Sequence, residues 1–175
     1  TLHAGIAGGA DVILIPEIPY DINKVVKAIE KRSKSGKRFT ILAVAEGAIS
    51  KEDAALSKKA YKEKLKQRTN PAVSYEIAQQ ILEKTGQEVR VTVPGHTQRG
   101  GGPCPYDRVL STRLGAKAAE MILNKEYGYM ASVINGEISK TKLSEVAGTL
   151  KMVDPKSEMI KEARLLGISF GDEKI

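Results

Sequence analysis

The sequence predicts an α/β protein built on parallel strands, and three features in its first 45 residues carry that prediction. Val12–Ile15 is a continuous apolar run closed by Pro16, as in a strand buried on both faces. Asp21 then precedes Ile22, Val25, Val26 and Ile29, an N-cap followed by apolar residues at i, i+3, i+4 and i+7. Gly36 breaks that helix, and Phe39–Ala45 is a second apolar strand. A connection of this length joins parallel neighbours. Ahead of the unit, Leu2–Gly9 reads as the last turns of a helix ending at Gly8 and Gly9.

The remaining elements follow in order. Glu17 stands at the carboxyl end of the first strand, and Glu46, in the run VAEGA, at the end of the second. Lys51–Arg68 is rich in Lys and Glu, with Leu56, Tyr61 and Leu65 as its apolar anchors, and predicts an exposed helix or lid-like excursion. Asn70-Pro71 marks a turn, and Ile77, Ala78, Ile81 and Leu82 form a helix stripe stopping near Gly86. Val89, Val91 and Val93 alternate as a strand that ends at Pro94. A long helix starts at Tyr106, with Leu110, Leu114, Ala118, Met121 and Ile122 on one face. Asn135-Gly136 between β-prone residues of Tyr129–Ile138 predicts a hairpin. Thr141–Val153 is mixed, Pro155 opens the last segment, and Met159–Leu166 reads as a short helix.

Composition narrows the function. The chain of 175 residues is one domain's worth, enough to bury a core. No apolar run approaches the length of a membrane span. Lys plus Arg number 28 against 21 Asp plus Glu, so the net charge is +7 and acidic partners such as phosphorylated metabolites are favoured. The charge is densest in Lys24–Arg38, whose default reading is a solvated face. With no Trp and two Phe, base-stacking platforms are not expected, and neither is nucleic-acid binding. A single cysteine, Cys104, allows no intrachain disulfide, fits a reducing cytoplasm, and is expected to be a small packed loop residue. The chain opens on Thr1 rather than Met, which suggests a fragment or a processed product.

The stretch Val91–Arg108, VTVPGHTQRGGGPCPYDR, concentrates the chemistry. A strand, a polar glycine turn and a helix start succeed one another, the arrangement in which α/β proteins gather ligand groups at strand carboxyl ends. Gly100–Gly102 lack a Cβ, so backbone amides there can approach an anion. Arg99 offers a planar fork matched to phosphate oxygens and His96 a compact second donor. From these residues alone the stretch is either a phosphate-receiving turn or a solvent-facing Gly/Pro loop. Glu46 is likewise either an acceptor for sugar hydroxyls or a helix-capping acid.

The ordered run Gly95-His96, Gln98-Arg99-Gly100-Gly101, Pro103 and Asp107-Arg108, with its preceding strand and the following RLGAKAAEMI helix, closely resembles the 6-phosphofructokinases. The resemblance spans essentially the whole chain, from TLHAGIAGGADVILIPE to GISFGD, but only the back half of that family's catalytic unit. It implies a three-layer, mostly parallel sheet. It divides the chain into a sugar-phosphate-binding domain, residues 1–99 plus 152–175, and a segment, 100–151, that packs on a nucleotide domain outside the sequence.

The same resemblance implies that Glu46 contacts fructose hydroxyls, that His96, Thr97, Gln98 and Arg99 bind substrate, and that Arg90 reaches a neighbouring subunit's phosphate in a homo-oligomer. A cation at a strand edge is the plainer reading of Arg90. The implied reaction converts fructose 6-phosphate to fructose 1,6-bisphosphate in glycolysis with Mg2+ and ATP, or pyrophosphate, as donor. The glycine-rich nucleotide loop, the metal-binding acid and the proton-abstracting Asp lie outside this sequence, so the chain alone is expected to be inactive. Glu17 and Lys37 match effector-site positions, while Ser35 replaces a usual lysine, which implies a weakened effector site. The alternatives are a pyrophosphate-dependent enzyme and a non-catalytic module for sugar-phosphate binding or assembly. The Leu110/Leu114/Met121 face is expected to be exposed, paired with another chain or repacked, leaving an enlarged apolar patch.

Overall fold

A computed structural model describes residues 1–172, with the backbone but not the side chain of Arg99. In chain order the elements are α1 (Leu2–Ala7), β1 (Val12–Leu14), α2 (Ile22–Lys34), β2 (Leu42–Val44), α3 (Lys51–Ala54), α4 (Lys58–Lys66) and α5 (Val73–Thr85), then α6 (His96–Arg99), α7 (Pro105–Leu123), β3 (Tyr129–Ile134), β4 (Glu137–Lys142), α8 (Leu143–Val146) and α9 (Glu158–Leu165). They fall into two compact units: Thr1–Thr92 with Met152 onward, and Val93–Lys151.

The first unit is the α/β body. Strands β1 and β2 pair in parallel with Val12 opposite Leu42 and Leu14 opposite Val44. A parallel bridge to Ser169 flanks β1 on its other edge, so β1 is interior and wholly buried, whereas β2 is half-buried. Asp21 caps α2 by accepting the Asn23 N–H, and Ile22, Val25, Val26 and Ile29 are its buried stripe. That stripe packs with Val12, Leu14, Val73, Ile77 and Ile81 on one side of the strands. On the other side Ile13, Ile15, Leu2, Ile160, Ala163 and Phe170 form a second cluster. Helices therefore cover both faces, as a parallel pair requires. Gly86, at φ 68°, ends α5 in the left-handed conformation that glycine adopts without strain.

Two expected strands come out differently. The Phe39–Ala45 strand shortens to Leu42–Val44, because Arg32 holds the approach in another shape: its Nε donates to the Phe39 carbonyl and its Nη1 pairs with Asp11 Oδ1 at 2.7 Å. Val89, Val91 and Val93 join no ladder, and no backbone partner is found for residues 88–93 among the described residues. Alternation makes a strand only when a neighbour supplies its donors and acceptors. Beside this segment lies a cleft of about 430 Å³ lined by polar and apolar groups, among them Asn70, Tyr75, Gln79, Leu82, Val89 and Val91.

In the second unit α7 packs on the β3–β4 hairpin. The hairpin turns through Asn135 and Gly136, both at positive φ, with Ile134 opposite Glu137. Pro105 opens α7 at a position whose N–H is not needed. The covered side of α7 carries Leu110, Leu114 and Met121, of which Met121 is buried. The expected single stripe is thus split: Ala118 and Ile122 face outward, and the exposed apolar groups are Tyr106, Val109, Ile122 and Leu123. Cys104 is exposed as the N-cap of α7, its thiol 3.2 Å from Asp107 Oδ2, and is not packed as expected. Among the described residues no helix is long and apolar enough to cross a membrane.

Candidate functional site

Glu46 sits on a turn with little freedom. The Ala45 N–H extends the parallel ladder by donating to the Leu14 carbonyl at 2.9 Å, and the Ala48 N–H closes the turn on the Ala45 carbonyl at 3.0 Å. Gly47 lies against Pro16. The far end is sewn to Tyr20, whose N–H donates to Ile49 O while its carbonyl accepts from Lys51 N–H. Within this frame the Glu46 side chain is exposed and has no hydrogen-bond or ion-pair partner among the described residues. A carboxylate on a stiff turn at a strand tip is ready to accept hydrogen bonds from a ligand's alcohols.

The neighbouring tip differs. Glu17 Oε1 accepts the Val153 N–H at 3.0 Å, and its Oε2 is buried without a partner. One oxygen of this effector candidate is therefore engaged within the first unit. Lys37 follows Gly36 (φ 83°) in an exposed loop whose shape depends on Arg32 and on Asp11, which also accepts the Ile41 N–H at 2.9 Å. Arg32, read in the sequence as one cation of a solvated run, is thus a structural clasp. Arg90 is exposed and pairs only with Glu88, two residues away, among the described residues.

The glycine turn belongs to the second unit by contacts, where the expected boundary placed His96–Arg99 with the first. Gly95, at φ 49°, lets the chain enter α6, a single helical turn. The Thr97 N–H donates to Pro94 O and the Gly100 N–H to His96 O at 2.7 Å. The Gly100 amide, expected to be available to an anion, is therefore used inside the turn, whereas those of Gly101 and Gly102 have no backbone partner among the described residues. His96, Thr97 and Gln98 are exposed. The Arg99 side chain lies outside the described residues.

A polar cluster was not anticipated from the sequence. Tyr20 is buried, and its phenol is pushed up to about 12 by burial first, then by the Asp53 and Glu76 carboxylates. Arg68 meets Glu76 through two nitrogens and Lys64 meets Asp53. Charge alternation in Lys51–Arg68 signals ion pairs in general. Nothing in the sequence signals which pairs close.

Fold and motif together define an α/β protein with an exposed carboxylate, Glu46, at one parallel strand tip and a polar glycine turn beginning at Gly95. The chain belongs to the phosphofructokinase family: the family model described as Phosphofructokinase matches residues 1–122. It is 49% identical over 171 residues to the ATP-dependent 6-phosphofructokinase of Spirochaeta thermophila, covering 98% of this chain and 47% of that protein. It is 43% identical over 173 residues to ATP-dependent 6-phosphofructokinase 2 of Clostridium perfringens, with the same coverage. The chain thus spans about half the length of the curated relatives it matches. Among solved structures, Pichia pastoris phosphofructokinase in the T-state matches with TM-score 0.60 at 30% identity, over 82% of this chain and 15% of that one. The pyrophosphate-dependent phosphofructokinase of Nitrosospira multiformis matches with TM-score 0.63 over 93% of this chain and 41% of that one; at 20% identity the likeness is one of fold.

Proposed function

We propose that this chain is the sugar-phosphate-binding half of an ATP-dependent 6-phosphofructokinase acting in the cytoplasm. Glu46 accepts hydrogen bonds from the hydroxyls of fructose 6-phosphate, while His96 and Arg99, with Thr97 and Gln98 beside them, hold its phosphate. Arg90 serves the phosphate bound by a neighbouring copy; its exposure and its single short-range partner suit a side chain that reaches outward. The observation that carries the reading is Glu46, an exposed carboxylate without a partner among the described residues, on a turn hydrogen-bonded at both ends.

Among the described residues no three His, Cys, Asp or Glu side chains converge to hold a metal ion. We assign Mg2+ and ATP mainly to an amino-terminal half outside this chain. The second unit, whose α7 is apolar on more than the side its hairpin covers, is assigned to pack on that nucleotide-binding part. Glu17 and Lys37 are the candidate effector contacts, and the engagement of Glu17 Oε1 favours a weakened effector site.

Calorimetry with fructose 6-phosphate tests the reading. Arg99→Ala is expected to weaken binding about 10- to 150-fold, the loss of one charge-assisted contact. Adding the amino-terminal half of the Spirochaeta thermophila relative is expected to restore turnover with ATP. Unchanged affinity in Arg99→Ala removes that residue from the site, and binding without restored turnover identifies a non-catalytic module.

A further inference from the structure

We propose that the excursion Lys51–Arg68 is an ionically latched clamp that holds the Glu46 turn in place, with Arg68 and Glu76 as its positioning residues. Both ends of the excursion return to the surroundings of one residue. At its start the Lys51 N–H donates to the Tyr20 carbonyl at 2.8 Å, and Tyr20 N–H holds Ile49 O at the end of the Glu46 turn. At its finish Arg68 grips Glu76 on α5, whose Val73 and Ile77 share a buried cluster with Tyr20. The Glu46 turn is therefore hydrogen-bonded to the Tyr20 backbone, and the helix that carries the closing ion pair belongs to the same core as the Tyr20 side chain.

What holds the excursion is polar. Neither α3 nor α4 buries a residue. Leu56 and Leu65 are exposed. Ser50 and Ser57 cap the two helices, Lys64 meets Asp53, and Arg68 meets Glu76 in a two-point contact with side chains only 20% and 28% exposed. Exposed pairs contribute little, but a shielded, bidentate arginine–carboxylate pair is the strong kind. An element with few buried apolar contacts opens at low cost, and one held by charge opens more readily in salt. The α2 helix, with four buried apolar side chains, provides the internal contrast.

The latch stands on the hydrogen bonds and ion pairs alone; its consequence for substrate rests on the reading of Glu46 as a sugar contact. Hydrogen exchange on this chain, at about 0.05 M and about 0.5 M NaCl, tests it. High salt, which screens the exposed Lys64 more than the shielded Arg68–Glu76 pair, is expected to speed exchange about twofold across residues 51–68 and 46–50 and to leave α2 unchanged. Arg68→Met, and separately Glu76→Gln, should speed exchange over the same residues about tenfold in low salt. The charge exchange Arg68→Glu with Glu76→Arg should restore protection. Exchange over 51–68 that ignores both salt and substitution overturns the latch. Loosening of 51–68 that leaves 46–50 as protected as before overturns the clamp. If exchange behaves as expected but neither wild type nor Arg68→Met binds fructose 6-phosphate, the Glu46 assignment fails while the clamp stands.

Discussion

The body formed by Thr1–Thr92 with Met152 onward buries Val12, Ile13, Leu14, Val25, Ile77, Ile160 and Phe170 almost completely, in clusters on both sides of two short strands. The Val93–Lys151 unit, among its described residues, buries one large side chain, Met121, and leaves Tyr106, Ile122, Leu123, Tyr127 and Leu150 mostly in solvent. The two regions do not differ in local quality, since α7 has proline at its start and the hairpin has matched turn residues. They differ in closure. A parallel pair is covered by helices on both faces, each with its own core, whereas a two-stranded hairpin here has one helix packed on it and leaves that helix's other flanks uncovered. The lesson is that secondary structure can be complete where tertiary burial is not.

Four substitutions sharpen or break that contrast. Phe170→Ala should be the most damaging, at about 3–5 kcal/mol, because a fully buried ring is replaced by a cavity and Arg164 loses the ring 4.8 Å from its guanidinium carbon. Denaturant unfolding measures it, and a cost below about 1 kcal/mol would mean that the body's core is looser than described. Gly171→Ala follows at about 2–4 kcal/mol. Its Cβ would sit 2.9 Å from Tyr20 Cβ and 3.0 Å from Val25 Cγ2, at a backbone φ of 72°. A neutral result there would show that Tyr20 and α2 shift freely.

Tyr20 supplies the third test. With the phenol at about 12 in the folded state against 10.0 in a free chain, the native protein keeps a proton that the unfolded chain releases. That contribution is whole below pH 10 and is lost as pH rises from 10 towards 12, to a total of about 2–3 kcal/mol. The difference in alkaline stability between wild type and Tyr20→Phe reads it, and parallel pH curves would refute it. The smallest effect is expected in the other unit. Leu123, 83% exposed, should tolerate Ser within about 0.5 kcal/mol, while self-association in sedimentation falls. A loss comparable to that of Phe170→Ala would mean that Leu123 is core after all.

Much of the fold was legible because it is locally encoded. Asp21 before a stripe at i, i+3, i+4 and i+7, apolar runs closed by Pro16 or set after Gly36, and Asn135-Gly136 each act through neighbours within one turn or one hairpin. Strand β1 and the capped α2 follow directly. The strand at Val89, Val91 and Val93 was misread because alternation states a preference for a face and does not supply the adjacent backbone. The placement of Cys104 was misread because a Pro-Cys-Pro sequence looks like a packed loop, when Pro105 in fact opens α7 and leaves the thiol at its N-cap. Of the site candidates, Glu46 at a strand tip and the turn beginning at Gly95 were readable from punctuation, whereas the engagement of Glu17 by Val153 was not, since 136 positions separate the partners.

By itself, then, the sequence determined the parallel α/β body, the order of its main elements and the residues proposed to meet a phosphorylated sugar, because periodicity, caps and turn chemistry are short-range properties. Only the tertiary structure decided which charges are spent internally, as with Arg32 on Asp11, Arg68 on Glu76 and Glu17 on Val153, and which have no partner among the described residues, as with Glu46. Pairing between groups distant along the chain depends on where packing brings them, and no local pattern records that distance.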